Sequence, residues 1–261
     1  ERRPSSQPVD TCVHKDWRGS LRKNSVFVTI AREFVREYCT TGADVYNEIM
    51  WGLPNEKAFP VGTRIIGYQP VHCPMPRQVG AASPEWIDAL SARAEGVTVE
   101  AAGAESLDEI AALFEACVDE APLGTWRSAE YLAWRYRDWP GIDYQALLAR
   151  RNGELVGALI YRLGWFGQPI VPLVDWIGRG GDVAATAALL AEVSRVTVAA
   201  GGSRLETWTT PNMARHASLA DLGLAQEASP FNLCIMVFSA SFDLDWAKQN
   251  WVFCMGDSDI Y

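Results

Sequence analysis

The chain has 261 residues, 49% of them hydrophobic and 21% charged, and a formal net charge of −9. Such a length and composition suit one large or two small packed globular domains. The acidic balance argues against a nucleic-acid or anionic-membrane surface. No apolar run of membrane-spanning length and no signal peptide pattern is visible. Six cysteines stand at 12, 39, 73, 117, 234 and 254 without any C-x-x-C pair, and there are only three histidines, at 14, 72 and 216. The expectation is therefore no metal, and free thiols in a cytoplasmic protein.

In chain order, residues 1–8 are polar and 9–14 are short and β-rich, a strand candidate. Residues 15–23 form a basic turn around Gly19, and Asn24 or Ser25 can cap a helix. In that helix Val26, Phe27, Ile30, Phe34, Val35 and Tyr38 recur at 3–4 spacing, and it ends near Gly42. Residues 44–51 read as a strand. Residues 55–66 read as weak helix interrupted by Pro60 and Gly62, and 69–73 as a strand. Residues 74–96 read as a linker with a short helix around Trp86 to Ala94, and the domain boundary is placed near Gly96.

Beyond it, residues 97–101 predict a strand, and Ser106-Leu107-Asp108-Glu109 is a capping box for a helix to about Val118. Residues 128–138 predict a second helix, stopped before Pro140. Asn152-Gly153 between two apolar runs predicts a type I′ hairpin. Residues 170–177 predict a strand, and Asp182 caps an Ala-rich helix ending at Gly201-Gly202. Residues 205–209 predict a strand, 212–222 a helix, and 231–238 and 251–255 two closing strands.

Part of this series occurs twice. The first copy runs Val9-Asp10-Thr11, a helix from about Ser25, then Trp51-Gly52-Leu53-Pro54-Asn55 and Ile66-Gly67-Tyr68. The second runs Val174-Asp175-Trp176, a helix from about Val183, then Thr209-Thr210-Pro211-Asn212 and Leu222-Gly223-Leu224. Asp10 lies 165 positions before Asp175, Asn55 157 before Asn212, and Gly67 156 before Gly223. An internal repeat of this size points to tandem copies of one fold.

Residues 97–261, and 9–73 as a partial copy, resemble the GNAT acyltransferase superfamily. The hairpin, the strand entering a turn and long helix, the Asn at the next strand end and the Gly-aromatic step come in family order. The resemblance implies an α/β (α+β) fold of tandem GNAT-like domains, each a mixed, splayed β-sheet flanked by helices. The partial domain with its linker spans 1–96 and the more complete one 97–261. Because the first copy has so little before its central strand, about 70–100 residues of that domain are expected to lie upstream of Glu1.

The resemblance further implies that acetyl-CoA or another acyl-CoA enters the splay, with its pyrophosphate on the turn that opens the long helix. In the first copy that turn holds Arg18, Gly19, Ser20, Arg22 and Lys23; Leu21 replaces a family glycine. Together with Val13 before it, these are the cofactor candidates, with a solvated basic turn as the other reading. In the second copy Arg179 and Gly180 are the candidates, but Asp182 would repel a phosphate there. Asn55 and Asn212 match the family Asn that touches the cofactor's arm; Pro-Asn is equally an ordinary helix entry. Base candidates for deprotonating an amine are Asp10, His14 and Asp175. The equivalence of Asp10 and Asp175 also fits a shared structural carboxylate. Trp126, Tyr131, Trp134 and Arg135 lie where the family builds its acceptor wall, with core packing around a snorkelled Arg as the other reading. The family Tyr after the Asn is absent.

The implied function is an acyl-CoA-dependent N-acyltransferase acting on a small-molecule amine such as an amino sugar or amino acid, with no nucleic-acid or membrane partner. A homodimer remains an open reading. The alternatives are a catalytically degenerate GNAT-like binding or scaffold protein, and an aminoacyl transferase of the cell-wall type, which the net charge disfavours.

Overall fold

The computed structural model describes residues 4–8, 13–17, 25–39, 47–164, 168–240, 242–258 and 260. The chain forms two compact units: residues 1–75 with 228–249, and residues 76–227 with 250–261. The chain passes from one to the other at 75–76, 227–228 and 249–250, whereas its sequence placed a single boundary near Gly96. Among the described residues no helix is long and apolar enough to cross a membrane.

The chain opens with β1 (Ser5–Ser6) and continues with α1 (Val26–Tyr38), β2 (Ile49–Gly52), a helical turn α2 (Phe59–Val61) running on as a π-turn through Ile66, and β3 (Gln69–His72). The predicted strand at 9–14 lies outside the described residues except at 13–14. Ser25 caps α1 by accepting from Val28 N–H, as its side chain predicts. Next come β4 (Pro76–Ala81), α3 (Pro84–Ala92), β5 (Thr98–Ala101), α4 (Leu107–Ala116), and α5 (Ala129–Leu132), which continues as a π-turn to Arg137. There follow β6 (Tyr144–Arg151), β7 (Glu154–Arg162), β8 (Ile170–Gly178), α6 (Val183–Ala199), β9 (Arg204–Trp208), α7 (Ala214–Asp221), β10 (Ala225–Ala228), β11 (Leu233–Val237) and α8 (Leu244–Asn250).

The first unit holds a sheet in the order β1-β2-β11-β3. The second holds a seven-stranded sheet in the order β10-β4-β9-β8-β7-β6-β5. The two share one plan. In each, a parallel pair (β1 with β2, β8 with β9) is followed by an antiparallel strand from the other copy's stretch of sequence: β11 beside β2, β4 beside β9. The offset of 165 that relates Asp10 to Asp175 also relates Ser5 to Ile170 and Ser6 to Val171, and these residues are the parallel partners in both sheets. Strand β4 occupies a stretch that reads as linker.

The core of the second unit joins Leu147, Leu159, Leu173 and Leu205 of the sheet to Leu189, Leu190 and Val193 of α6 and Leu219 of α7. Each fully buried Leu contributes on the order of 1.5–3 kcal/mol of transfer free energy. The hairpin turns at Asn152 (φ 52°) and Gly153 (φ 85°), the left-handed pair that its sequence predicts. Residues 251–255 form no strand: Trp251 makes one bridge to Leu123, and Met255–Asp257 is a 3₁₀ turn. Their apolar character serves packing, with Phe253 stacked on Trp208 at 6.3 Å.

Candidate active site

In the second unit β8 and β9 pair in parallel only from Ile170 to Pro172 against Arg204 to Glu206. Past that point β8 runs on to Gly178. Beyond the ladder, side chains bridge the pair: Trp176 Nε1 donates to Thr207 Oγ1 at 3.1 Å, and Thr207 Oγ1 donates to Leu173 O at 2.9 Å. Opposite β7, the register skips a residue between Ile160–Asp175 and Tyr161–Leu173. Val174 is thus bulged and left out of the ladder immediately before Asp175.

The chain's own C-terminal stretch lies against both strands. Phe253 stacks on Trp208 of β9, and Cys254 Sγ sits 3.3 Å from Asp175 Oδ1 on β8. Asp175 is buried, with 2% exposure, and accepts from Arg127 Nε (3.1 Å), Tyr136 OH (2.7 Å) and Trp176 N–H (2.9 Å). Arg127 Nη2 also lies 2.7 Å from Asp257 Oδ1. One guanidinium thus bridges two buried carboxylates. Burial alone would pull the Arg127 pKa down, but Asp175 and Asp257 hold it well above its ordinary value. Burial, then the neighbouring carboxylates, push the Cys254 thiol well up, so it stays protonated. Asp175 lies in the candidate region, but as a carboxylate committed to a structural network.

The acceptor candidates share that fate in part. Arg135 donates from Nε to Gly256 O (3.1 Å), from Nη2 to Ser258 O (2.9 Å) and from Nη1 to Tyr144 OH (2.9 Å). Tyr131 OH faces Gly256 O at 3.5 Å, and burial pushes its pKa up. Instead of lining an open acceptor wall, these two side chains hold residues 256–258. Trp126 packs edge-on against Phe114 at 5.4 Å. Trp134 is 57% exposed, with Trp139 edge-on at 6.1 Å.

The turn between β8 and α6 has the geometry of an anion seat, and the chain fills it. Gly180 N–H donates to Glu120 Oε2 at 2.7 Å. A Cβ on Gly180 would meet Arg215 N at 2.5 Å, so only glycine fits beneath α7. Arg179 pairs with Asp119 at 2.7 Å and donates to Ala116 O. Asp182 accepts from Ala185 N–H at 3.0 Å and pairs with Arg151 at 2.8 Å. Beside the turn, Arg215 is buried, donates to Gly178 O at 2.9 Å and lies over the Trp176 ring at 5.1 Å. Burial lowers its pKa to about 10. Asn212 is exposed in the turn before α7.

In the first unit Asp10, Arg18, Gly19, Ser20, Arg22 and Lys23 lie outside the described residues. Val13 is half-buried, and His14 is exposed, with Nδ1 3.5 Å from Asp16 Oδ2. Asn55 Oδ1 accepts from Lys57 N–H and Ala58 N–H, both at 3.1 Å, so its side chain starts a helical turn. Sequence reading missed Glu120, Asp257, Cys254 and Arg215. The nearest signal was Trp126-Arg127, read for its aromatic ring instead of its charge.

No protein-family model and no curated protein matches the chain. Solved structures do. A tandem GNAT protein from the clavulanic acid biosynthesis pathway aligns over 92% of this chain and 77% of its own, with a TM-score of 0.57 and 15% identity. A conserved protein from Enterococcus faecalis V583, named a probable N-acyltransferase, aligns over 91% and 55%, with a TM-score of 0.60 and 11% identity. A GCN5-related N-acetyltransferase from Sphaerobacter thermophilus aligns over 89% and 73%, with a TM-score of 0.52 and 20% identity. This chain spans about half the length of the Enterococcus protein. At such identities the likeness concerns the fold, which is that of tandem GNAT-like units.

Proposed function

We propose that this chain, built on tandem GNAT-like units, is an acyl-CoA-dependent N-acyltransferase that takes up its cofactor in the first unit. The observation that carries this reading is the Glu120 carboxylate on Gly180 N–H. The helix-start turn of the second unit already holds an anion of its own, flanked by Asp119 and Asp182. The equivalent turn of the first copy carries Arg18, Arg22 and Lys23 against the single acid Asp16, a composition suited to a pyrophosphate. The acceptor is a small amine, and the net charge of −9 favours a cation. The acyl group passes from the thioester sulfur to the amine nitrogen, and the amine's proton goes to a base or to water. With Asp175 held by Arg127, Tyr136 and Trp176, the base is sought in the first copy, at Asp10 or His14.

Calorimetric titration with acetyl-CoA and free CoA tests the assignment. Saturable binding that survives Arg179→Ala and is lost in Arg18→Ala/Arg22→Ala is expected. Binding lost only in Arg179→Ala would move the cofactor to the second unit. No binding to any acyl-CoA would make the chain a scaffold instead, a reading that the self-filled second turn already favours for that unit.

A further inference from the structure

Two cysteines 161 positions apart in sequence meet in the first unit. Cys73 directly follows β3, and Cys234 is the second residue of β11, which runs antiparallel to β3. Leu233 pairs with His72 and Cys234 with Pro70, so Val71 is bulged. The two thiols lie with Sγ 4.0 Å from Sγ. Cys73 is exposed, whereas Cys234 is buried at 1% exposure. Cys39, Cys117 and Cys254 are all buried, so among the described cysteines Cys73 is the one that solvent reaches.

We propose that Cys73 and Cys234 form a reversible disulfide, with Cys73 meeting the oxidant and Cys234 closing the bond. The sulfurs, 4.0 Å apart, need to close to a bonding distance of about 2.05 Å. The Cys234 thiol hydrogen-bonds to Cys73 and holds its pKa below the ordinary value. The thiolate is the reactive form and Cys73 is the exposed partner, so Cys73 is the attacking group.

The chemistry balances with a low-molecular-weight disulfide as oxidant. Cys73 thiolate attacks one sulfur of that disulfide and expels its first thiolate, leaving a mixed disulfide on Cys73. Cys234 then gives up its proton and attacks Cys73 Sγ, expelling the second thiolate. One S–S bond forms in the protein, and one is reduced to two small thiols. In a glutathione-reduced compartment the pair stays open, and oxidation closes it.

The bond has a definite place in the fold. Among the described residues, β3 is the edge strand of its sheet and pairs with β11. The cross-link therefore fastens an edge strand to the strand that arrives from the far end of the sequence. It also closes a loop that contains all of residues 76–227, and a covalent closure of that length strongly restricts the unfolded chain.

The experiment uses the full chain, incubated with oxidised glutathione, quenched by alkylation and mapped as non-reduced peptides by mass spectrometry. The expected product joins the Cys73 and Cys234 peptides with the loss of two hydrogens. It raises the melting temperature, and dithiothreitol reverses both changes. Cys73→Ser, at an exposed position, abolishes cross-link and shift together. Cys234→Ala leaves Cys73 as a stable glutathione adduct. The proposal is overturned if wild-type Cys73 ends only as the glutathione adduct. A cross-link from Cys73 to another cysteine such as Cys12, or none at excess oxidised glutathione, overturns it equally.

Discussion

Replacing Arg127 by Met tests how the second unit is held together at β8. Arg127, Asp175 and Asp257 are exposed by only 6%, 2% and 7%. The guanidinium lies 3.1 Å from one carboxylate and 2.7 Å from the other. At an effective dielectric constant of ~20, unit charges centred about 4 Å apart attract by ~4 kcal/mol. Two such attractions offset the desolvation of three ions and the repulsion between the carboxylates. Met keeps most of the length and none of the charge, so the variant reads electrostatics more than packing. Removing one partner of a buried pair costs about 3–5 kcal/mol, and here two carboxylates are stranded, which places the loss at the upper end. At ~2–4 °C per kcal/mol for a unit of this size, calorimetry should record a fall of roughly 10–20 °C at neutral pH. Arg127→Met/Asp175→Asn/Asp257→Asn removes every formal charge in the cluster and should regain more than half of that loss. A single-variant loss under about 1 kcal/mol would refute the charge-compensation argument. So would a triple variant no more stable than the single one.

Three further outcomes follow from the same geometry. Asp182→Ala removes the cap of α6 and should cost about 0.5–2 kcal/mol at pH 7 in urea unfolding. Burial alone would push the Asp182 pKa up, but Arg151 and the Ala185 N–H hold it below its usual value. Its stabilisation is therefore full above the unfolded carboxylate pKa of about 3.9 and is lost as pH falls through the folded value. A gap between wild type and variant that stays constant into acid would contradict this. Gly178 has φ +117°, and a Cβ there would meet Val156 O at 2.6 Å. Gly178→Ala should consequently lose about 2 kcal/mol or more, and a neutral result would disprove the close approach. Arg215 is buried with neutral oxygens as its hydrogen-bond acceptors, so its desolvation is poorly compensated. Arg215→Met should change stability by less than about 1.5 kcal/mol in either direction, and a loss twice as large would show that the guanidinium is needed.

Features decided within a few residues were legible in the sequence. Ser25 and Asp182 cap helices because a short polar side chain reaches the N–H three residues on. Asn152-Gly153 turns a hairpin because both residues accept positive φ. Features decided by distant partners were not. Strand β4 reads as linker because it is polar and begins within a Pro-Met-Pro run. Yet Gln78 is fully buried, donating to His216 O and accepting from Thr209 Oγ1, and only tertiary structure supplies such partners. Residues 251–255 read as a strand because they are apolar, but a period of apolar residues cannot tell ladder pairing from side-chain packing. Asp119 and Glu120 look like solvated acids until Arg179 and Gly180, some 60 positions on, are placed beside them.

That last case bears on how two copies of one fold come to differ. A turn that opens a helix presents unsatisfied N–H groups and a partial positive charge. A bound phosphate can satisfy them, and so can a carboxylate of the same chain. In the second unit the chain supplies Glu120 and Asp182, and Arg179 is drawn off to Asp119. An incoming pyrophosphate would have to displace an anion already held. In the first copy no acid stands between Asp16 and Glu33, while Arg18, Arg22, Lys23 and Arg32 do. The first turn of α1 likewise carries no acidic residue. By sequence the first copy places three cations and no acid over residues 17–24, whereas in the second turn Arg179 and Asp182 are each already paired within the chain.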